Sequence, residues 1–143
     1  MNIRLMTISD YEAVYILWLN TAGMGMRFMD DSLDGITRFL KRNPTTSFVS
    51  EIEDNINGVI LCGHDGRRGY IYHTAVKPDC RKQGIGKALV EAAVNALKEE
   101  NINKVALVVF DTNEIGNSFW GSVGFIKRDD LIYRNMSFND ENK

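Results

Sequence analysis

A short basic stretch with two glycines has the composition of an anion-binding loop. It reads Arg81-Lys82-Gln83-Gly84-Ile85-Gly86-Lys87 and runs directly into a segment whose apolar residues recur every three or four positions as far as Leu97. This spacing predicts an amphipathic helix. No Ser, Thr, Asp or Asn in 81–86 can cap its first turn, so the backbone N–H groups there have no local side-chain acceptor. Because glycine admits close approach to the backbone and a helix N-terminus favours negative charge, the stretch predicts a phosphate or pyrophosphate site.

Three kinds of nucleotide site place glycines before a helix, and the neighbouring residues distinguish them. A P-loop requires Ser or Thr after Gly-Lys, whereas Ala88 follows Gly86-Lys87. A dinucleotide-binding fold places its motif after the first strand, whereas this motif is mid-chain with one βαβ unit following. The third pattern, Arg/Gln-x-x-Gly-x-Gly/Ala, matches 81–86 in full. The remaining alternative is a glycine-containing helix start on a solvated basic surface.

Composition limits the classes of function. The 143 residues, 44% hydrophobic and 25% charged, are expected to form a single domain, 1–143. A net charge of −2 disfavours nucleic-acid or membrane-surface partners, and no segment resembles a signal peptide or a membrane span, so a cytoplasmic protein is expected. Cys62 and Cys80 suit a reducing compartment. His64 and His73 are too few and too poorly spaced for a metal site, so no metal is expected.

Hydrophobic periodicity and turn residues predict alternating strands and helices. The first half should contain a strand near 3–7, a helix from a Ser9–Glu12 capping box to about Gly23, and a second helix over 32–42 capped by Asp31 or Ser32. An antiparallel meander is expected next, with strands over 47–53, 59–63 and 70–77.

The second half is predicted to form a right-handed βαβ unit and a final helix and strand. Residues 104–110 are apolar on both faces, as in a strand covered on both sides. Asp111 and Glu114 have capping-box spacing for a helix reaching Val123, followed by a strand over 131–137 and a frayed tail.

The loop and this order of elements together resemble the GCN5-related N-acetyltransferase (GNAT) superfamily, as a bacterial-type single-domain acetyltransferase, over essentially the whole chain. Further matches are Val76-Lys77-Pro78, Asn113, Gly116 and Gly124-Phe125; the tyrosine usually assigned as general acid is replaced by Trp120. The resemblance implies an α/β (α+β) fold. Its central sheet is mixed and mostly antiparallel, flanked by helices, with one βαβ unit carrying the acetyl-CoA loop.

The resemblance also implies how acetyl-CoA binds. Its pyrophosphate would lie on the loop residues Arg81, Lys82, Gln83, Gly84, Ile85, Gly86 and Lys87. Its pantetheine arm would run along Thr74, Ala75 and Val76, and Asn113 would hydrogen-bond the arm or a nearby backbone group. The thioester would then lie in the cleft, without a metal.

The implied reaction is attack of a neutral amine on the thioester carbonyl. The ammonium form must first lose a proton, and the candidate bases are Tyr72, His73 and the acidic residues Asp30, Asp31 and Asp34. Tyr72 and His73 are more simply interpreted as ordinary strand residues, and Asp31 with Asp34 as a helix cap. Trp120 or Tyr133 could assist departure of the thiolate, and Cys80 is a weaker candidate nucleophile because no histidine lies near it in sequence.

The acidic residues predict a cationic amine acceptor, a small molecule or a peptide. A non-catalytic acyl-CoA-binding regulatory protein is the alternative function, and a structural domain with an accidental basic turn is a third. Homodimer formation is left open by the sequence.

Overall fold

The computed structural model describes residues 1–143, which form a five-stranded sheet with four α-helices around it. The strands are β1 (Asn2–Leu5), β2 (Phe48–Ile52), β3 (Asn55–His64), β4 (Gly69–Val76) and β5 (Val105–Ala106). The helices are α1 (Tyr11–Leu19), α2 (Leu33–Arg42), α3 (Ile85–Glu99) and α4 (Glu114–Ser122). The strand order is β1-β2-β3-β4-β5; only the β4–β5 pair is parallel. This confirms the predicted mixed, mostly antiparallel sheet. No helix combines the length and the apolar character that a membrane span needs.

The central strand β3 separates two hydrophobic cores. Val59 and Leu61 pack with α1 and α2 on one face, whereas Ile60 and Cys62 pack with α3 on the other. All four side chains are almost fully buried. Because successive side chains of a strand point to opposite faces, a strand covered on both faces reads as a continuous apolar run.

The β4-α3-β5 unit is the predicted crossover, but its second strand is short. Pairing is limited to Gly69 with Val105 and Tyr70 with Ala106. The predicted strand over 104–110 is therefore wrong beyond Ala106. Val108 and Phe110 are each 57% exposed, since no neighbouring strand or helix covers that part of the segment. The edge of β4 after Tyr70 is left open.

An irregularity in the β3–β4 pairing changes the direction of two side chains. Ile60 lies opposite Thr74 and Cys62 lies opposite Ile71, so Tyr72 and His73 together face Leu61 alone. A bulge of this kind interrupts the alternation of faces. Both side chains consequently lie on the α1/α2 side, where Tyr72 packs against Phe39 and His73 against Trp18.

Several predicted boundaries are corrected by the structure. The residue that precedes α4 and caps it is Asn113, not Asp111. Ser9 does not cap α1, because Asp10 binds the Thr7 N–H within a preceding 3₁₀ turn. Ser32 caps α2 as predicted. The predicted strand over 131–137 is not formed, because no strand lies alongside it to pair with.

The C-terminal tail, predicted to fray, is bonded to the loop before α2. Asn142 Oδ1 accepts hydrogen bonds from the backbone N–H groups of Met29 and Asp30, and Asn142 Nδ2 donates to Asp30 Oδ2 at 2.8 Å. The Lys143 main-chain oxygen accepts from the Phe28 N–H. The tail therefore satisfies backbone donors of a loop that has few partners of its own.

Candidate active site

A continuous cleft of about 2010 Å³ follows the open edge of β4. The start of α3 forms one end, and α2 with the loop before it lies at the other. Residues 108–113 and the side chains of Trp120 and Tyr133 contribute to the remaining wall. The cleft thus joins the predicted anion loop to most of the predicted catalytic residues.

The start of α3 presents a row of unpaired backbone donors, as the sequence predicts. The N-cap is Gly84, which offers no side-chain acceptor. No protein acceptor binds the backbone N–H groups of residues 82–87, and the first bond of the helix runs from the Ala88 N–H to the Gly84 carbonyl. Arg81, Lys82 and Lys87 line the same end of the cleft. These donors and charges suit a pyrophosphate group.

The two glycines of the loop have different structural roles. Gly84 has φ +81° and no atom lies within 4 Å of where a Cβ would be, so it provides a left-handed turn that faces open space. A Cβ on Gly86 would lie 2.9 Å from the ring of Phe119. Gly84 therefore leaves room for a ligand, whereas Gly86 allows α3 to pack against α4.

The register of β4 directs main-chain groups of Val76 towards the open edge. Val76 lies opposite Gly58, and the neighbouring Lys77 N–H donates to the Asn57 carbonyl at 2.8 Å. In an antiparallel ladder this makes Val76 and Gly58 a non-hydrogen-bonded pair, so the N–H and C=O of Val76 point away from β3. Arg81 Nε accordingly donates to the Val76 carbonyl at 3.2 Å. Thr74, two residues earlier, has the same orientation, whereas Ala75 is buried in the core.

Asn113 has one free half of its amide group. Its Oδ1 accepts the Gly116 N–H at 2.9 Å and caps α4, and no protein acceptor binds its Nδ2. The side chain also packs against Gly23 and Gly116, where any Cβ would lie within 3 Å of Nδ2. Asn113 is thereby held in the cleft wall with donors available.

Asp31 and His73 form the principal polar pair in the cleft. His73 Nε2 lies 2.9 Å from both carboxylate oxygens of Asp31. Asp31 is 5% exposed and also accepts the Arg27 N–H, while the Tyr11 hydroxyl donates to its main-chain oxygen. The Asp31 carboxylate accepts a hydrogen bond from Nε2–H, which leaves Nδ1 of the neutral imidazole as a lone-pair acceptor. The ring is further held by an edge contact with Trp18 at 5.0 Å between centroids.

Three tyrosines, Tyr70, Tyr72 and Tyr133, lie together towards the α2 end of the cleft. The rings of Tyr70 and Tyr72 are 4.7 Å apart, and the charge that Tyr133 would carry as a phenolate is felt by both. Burial, followed by the charge of Asp30, raises the pKa of Tyr72, and burial also raises the pKa of Tyr70. Tyr72 therefore keeps its proton at neutral pH and suits a hydrogen-bond donor rather than a base.

Trp120 lies in an aromatic cluster on the cleft wall. Its ring makes edge contacts with Phe119 and Phe125, with centroid distances of 5.0 and 5.1 Å. Trp120 is half-buried and packs against the α3 side of the core. This environment favours the packing role over direct chemistry.

The predicted acidic group is divided by the structure. Asp31 is committed to His73 and the Arg27 N–H, and Asp30 lines the cleft while bonded to Asn142. Asp34 lies in the first turn of α2, is exposed and does not line the cleft. The pairing of Asp31 with His73 was not predicted, because the two residues are distant in sequence and the bulge that turns His73 has no local signature. Cys80 lies near the anion loop, where its thiol donates a hydrogen bond to Asp79 and its side chain packs against the core under α3.

Fold and site together define a class of protein: a mixed sheet whose crossover helix carries an anion loop beside an open strand edge, as in acetyltransferases of the GNAT type. A family model described as "Acetyltransferase (GNAT) family" matches residues 12–125, and the chain belongs to this family. It is 33% identical over 114 residues to an acetyltransferase of Pectobacterium atrosepticum, covering 80% of this chain and 79% of that one.

Solved structures share the fold at low identity. A PaiA N-acetyltransferase from Thermoplasma acidophilum in complex with coenzyme A has a TM-score of 0.77 at 20% identity, covering 90% of this chain and 91% of that one. An aminoglycoside acetyltransferase from an uncultured soil metagenomic sample, in complex with sisomicin, has a TM-score of 0.74 at 17% identity and covers 96% of both chains.

Proposed function

We propose that the protein transfers an acetyl group from acetyl-CoA to a primary amine by direct attack in a ternary complex. The observation that carries this proposal is the cleft itself. It joins the unpaired N–H groups of 82–87 at one end to the Asp31–His73 pair at the other, along the open edge of β4.

The anion loop and the edge of β4 are proposed to hold acetyl-CoA. The pyrophosphate would accept hydrogen bonds from the N–H groups at the start of α3 and form ion pairs with Arg81, Lys82 and Lys87. The amides of the pantetheine arm can bond Thr74 and Val76 as an added strand would, and Asn113 Nδ2 can donate to the arm. The coenzyme A bound to the Thermoplasma acidophilum neighbour supports this assignment.

His73 is proposed as the general base, with Asp31 as its positioning residue. The carboxylate holds the Nε2–H tautomer, and Nδ1 then removes the proton of the ammonium, directly or through one water. The imidazolium that forms is stabilised by Asp31, as in other carboxylate–histidine pairs. Tyr72, with its raised pKa, stays protonated beside this pair.

Main-chain groups can also stabilise the developing charge on the carbonyl oxygen. With the pantetheine amides bonded to Thr74 and to the Val76 carbonyl, the Val76 N–H stays free and can donate to the oxyanion that develops on the thioester carbonyl. A thiol with pKa near 8.5 costs only about 2 kcal/mol to expel as thiolate at pH 7. A dedicated acid is therefore not essential, and we expect a slow but active enzyme.

A thiol-release assay tests the proposal. Free CoA should appear when protein and acetyl-CoA are mixed with a panel of amine metabolites and peptides. Binding of acetyl-CoA with no thiol release by any amine would instead indicate the non-catalytic acyl-CoA-binding alternative.

Variants of His73 and Asp31 make this test more specific. His73→Gln should lower kcat by about 100-fold or more, the usual size of a general-base effect, with little change in acetyl-CoA affinity. Asp31→Asn should lower kcat as well, because the amide no longer stabilises the imidazolium. Asp34→Asn, a matched change outside the cleft, should have no effect. If all three variants kept the wild-type kcat, the Asp31–His73 pair would have no part in the mechanism.

A further inference from the structure

The acceptor end of the cleft, formed by α2 and the loop before it, is more basic than the chain as a whole. The protein has a net charge of −2. Yet the cleft away from the anion loop carries four basic side chains, Arg27, Arg38, Lys41 and Arg42, against three carboxylates, Asp30, Asp31 and Asp111. Asp31 is already bound to His73. Positive potential is therefore concentrated where the acceptor would enter.

These basic groups are not engaged by carboxylates of the chain. None of them takes part in the ion pairs that the structure contains within 4 Å. Arg42 feels the charge of Asp65 at longer range, but that carboxylate accepts the backbone N–H groups of Arg67 and Arg68. The charge of the wall is thus left for a ligand.

Arg38, Lys41 and Arg42 share one face of α2. Their spacing of three and four residues places them side by side on the helix. Phe39 packs against Tyr72 at 5.6 Å between ring centroids, which puts this part of α2 over the floor of the cleft. The favourable position of cations near a helix C-terminus accounts for Lys41 and Arg42 in the last turn, but not for Arg38.

Acetyl-CoA does not explain this basic face. Tyr72 precedes Val76 by four residues on β4, which is about 13 Å of extended chain, and the anion loop lies further on. The loop has its own cations in Arg81, Lys82 and Lys87. The face on α2 therefore lies at the opposite end of the cleft from the phosphates.

We propose that the acceptor is a primary amine that also carries an anionic group, a carboxylate or a phosphate, and that Arg38 and Arg42 bind this anion. Asp30 faces the ammonium group, and His73 removes its proton. The inference rests on the proposed function, and it narrows the expected cationic acceptor to one with charges of both signs.

Three amines of equal length test the inference: 5-aminopentanoate, pentylamine and 1,5-diaminopentane. Each is titrated calorimetrically into protein saturated with CoA, and each is assayed for CoA release from acetyl-CoA. Shorter and longer ω-amino acids and aminoalkyl phosphates extend the series, and tripeptides with an acidic or a basic second residue test a peptide source. The anionic members should bind about 10-fold more tightly than the diamine, because charge-assisted bonds to arginine are the strong ones.

Arginine variants assign the preference to α2. Arg38→Gln with Arg42→Gln should remove the 10-fold preference and raise KM for the anionic amines. Arg67→Gln with Arg68→Gln makes a matched change of two charges outside the cleft and should preserve the preference.

The outcomes separate this inference from the proposed function. Equal or tighter binding of the diamine, no binding of any amine, or a preference that survives the arginine changes would overturn the inference. Release of CoA with pentylamine or 1,5-diaminopentane would then leave acetyl transfer standing. Arginine-dependent binding of anionic amines without CoA release would support the inference and contradict the proposed function.

Discussion

Gly86 is packed so closely against Phe119 that it leaves no room for a side chain. A methyl group at this position would lie 2.9 Å from the Phe119 ring. Gly86→Ala should therefore lower the free energy of unfolding by about 1–3 kcal/mol, the usual cost of overpacking. Gly84→Ala meets no atom within 4 Å and should cost about 1 kcal/mol, from its positive φ alone. Urea denaturation of both variants measures the two losses, and a smaller loss in Gly86→Ala than in Gly84→Ala would contradict the assigned roles.

Trp120 is expected to stabilise the fold rather than donate a proton. Its edge contacts with Phe119 and Phe125 are retained in part by a phenyl ring. Trp120→Phe should cost about 1 kcal/mol of stability and change kcat far less than the ~100-fold typical of a lost general acid. Trp120→Tyr and Tyr133→Phe are assayed beside it. A gain in kcat with Trp120→Tyr would indicate a missing acid, and a loss of ~100-fold or more with Tyr133→Phe would assign that role to Tyr133.

Among the elements, the loop before α2 depends on the C-terminal tail. Asn142 Oδ1 accepts hydrogen bonds from the N–H groups of Met29 and Asp30, next to Asp31. Asn142→Ala should speed amide exchange at these two residues about 5-fold, because each lost hydrogen bond is worth about 1 kcal/mol. Asn95→Ala, on the exposed face of α3, is the control. Unchanged exchange at Met29 and Asp30 would show that the tail does not hold the loop.

Elements whose signals are local could be predicted from the sequence. The helix α3, its uncapped start and the Ser32 cap of α2 depend on residues within one or two turns, so spacing and residue type were sufficient. The strands predicted over 104–110 and 131–137 have the right apolar residues, but a strand also needs a neighbour to pair with. The Asp31–His73 pair depends on a bulge and on long-range packing, which no local pattern encodes.

At the scale of the whole molecule, acid stability should depend on the contact between Arg4 on β1 and Asp10. Burial of Asp10 acts to raise the pKa of its carboxyl group, but hydrogen bonds from Arg4 and the Thr7 N–H outweigh it, and the pKa is lowered. The stabilisation is therefore complete above the unfolded pKa of about 3.9 and is lost as pH falls through the lower folded value. Asp10→Asn should flatten this part of the stability–pH curve measured by urea denaturation. An unchanged slope would contradict the assignment.

The protein is acidic overall, but two basic regions lie in the same cleft, one for each proposed ligand. The basic loop at the start of α3 and the basic face of α2 lie at its two ends. Such a field attracts anionic ligands and weakens with added salt. Acetyl-CoA is proposed to be held at the α3 end by backbone donors and cations, without a metal.

Isothermal titration with acetyl-CoA, in the presence and absence of EDTA, tests this mode of binding. The wild-type protein should bind acetyl-CoA equally well with and without EDTA. Gly84→Asp should abolish binding, because the new carboxylate would occupy the pyrophosphate site and repel the pyrophosphate. Gly66→Asp is a matched control, since Gly66 also has positive φ and open space around it but lies outside the cleft. It should bind as the wild type does. Absence of wild-type binding at millimolar acetyl-CoA, loss of binding in EDTA, or undiminished binding by Gly84→Asp would contradict this mode of binding.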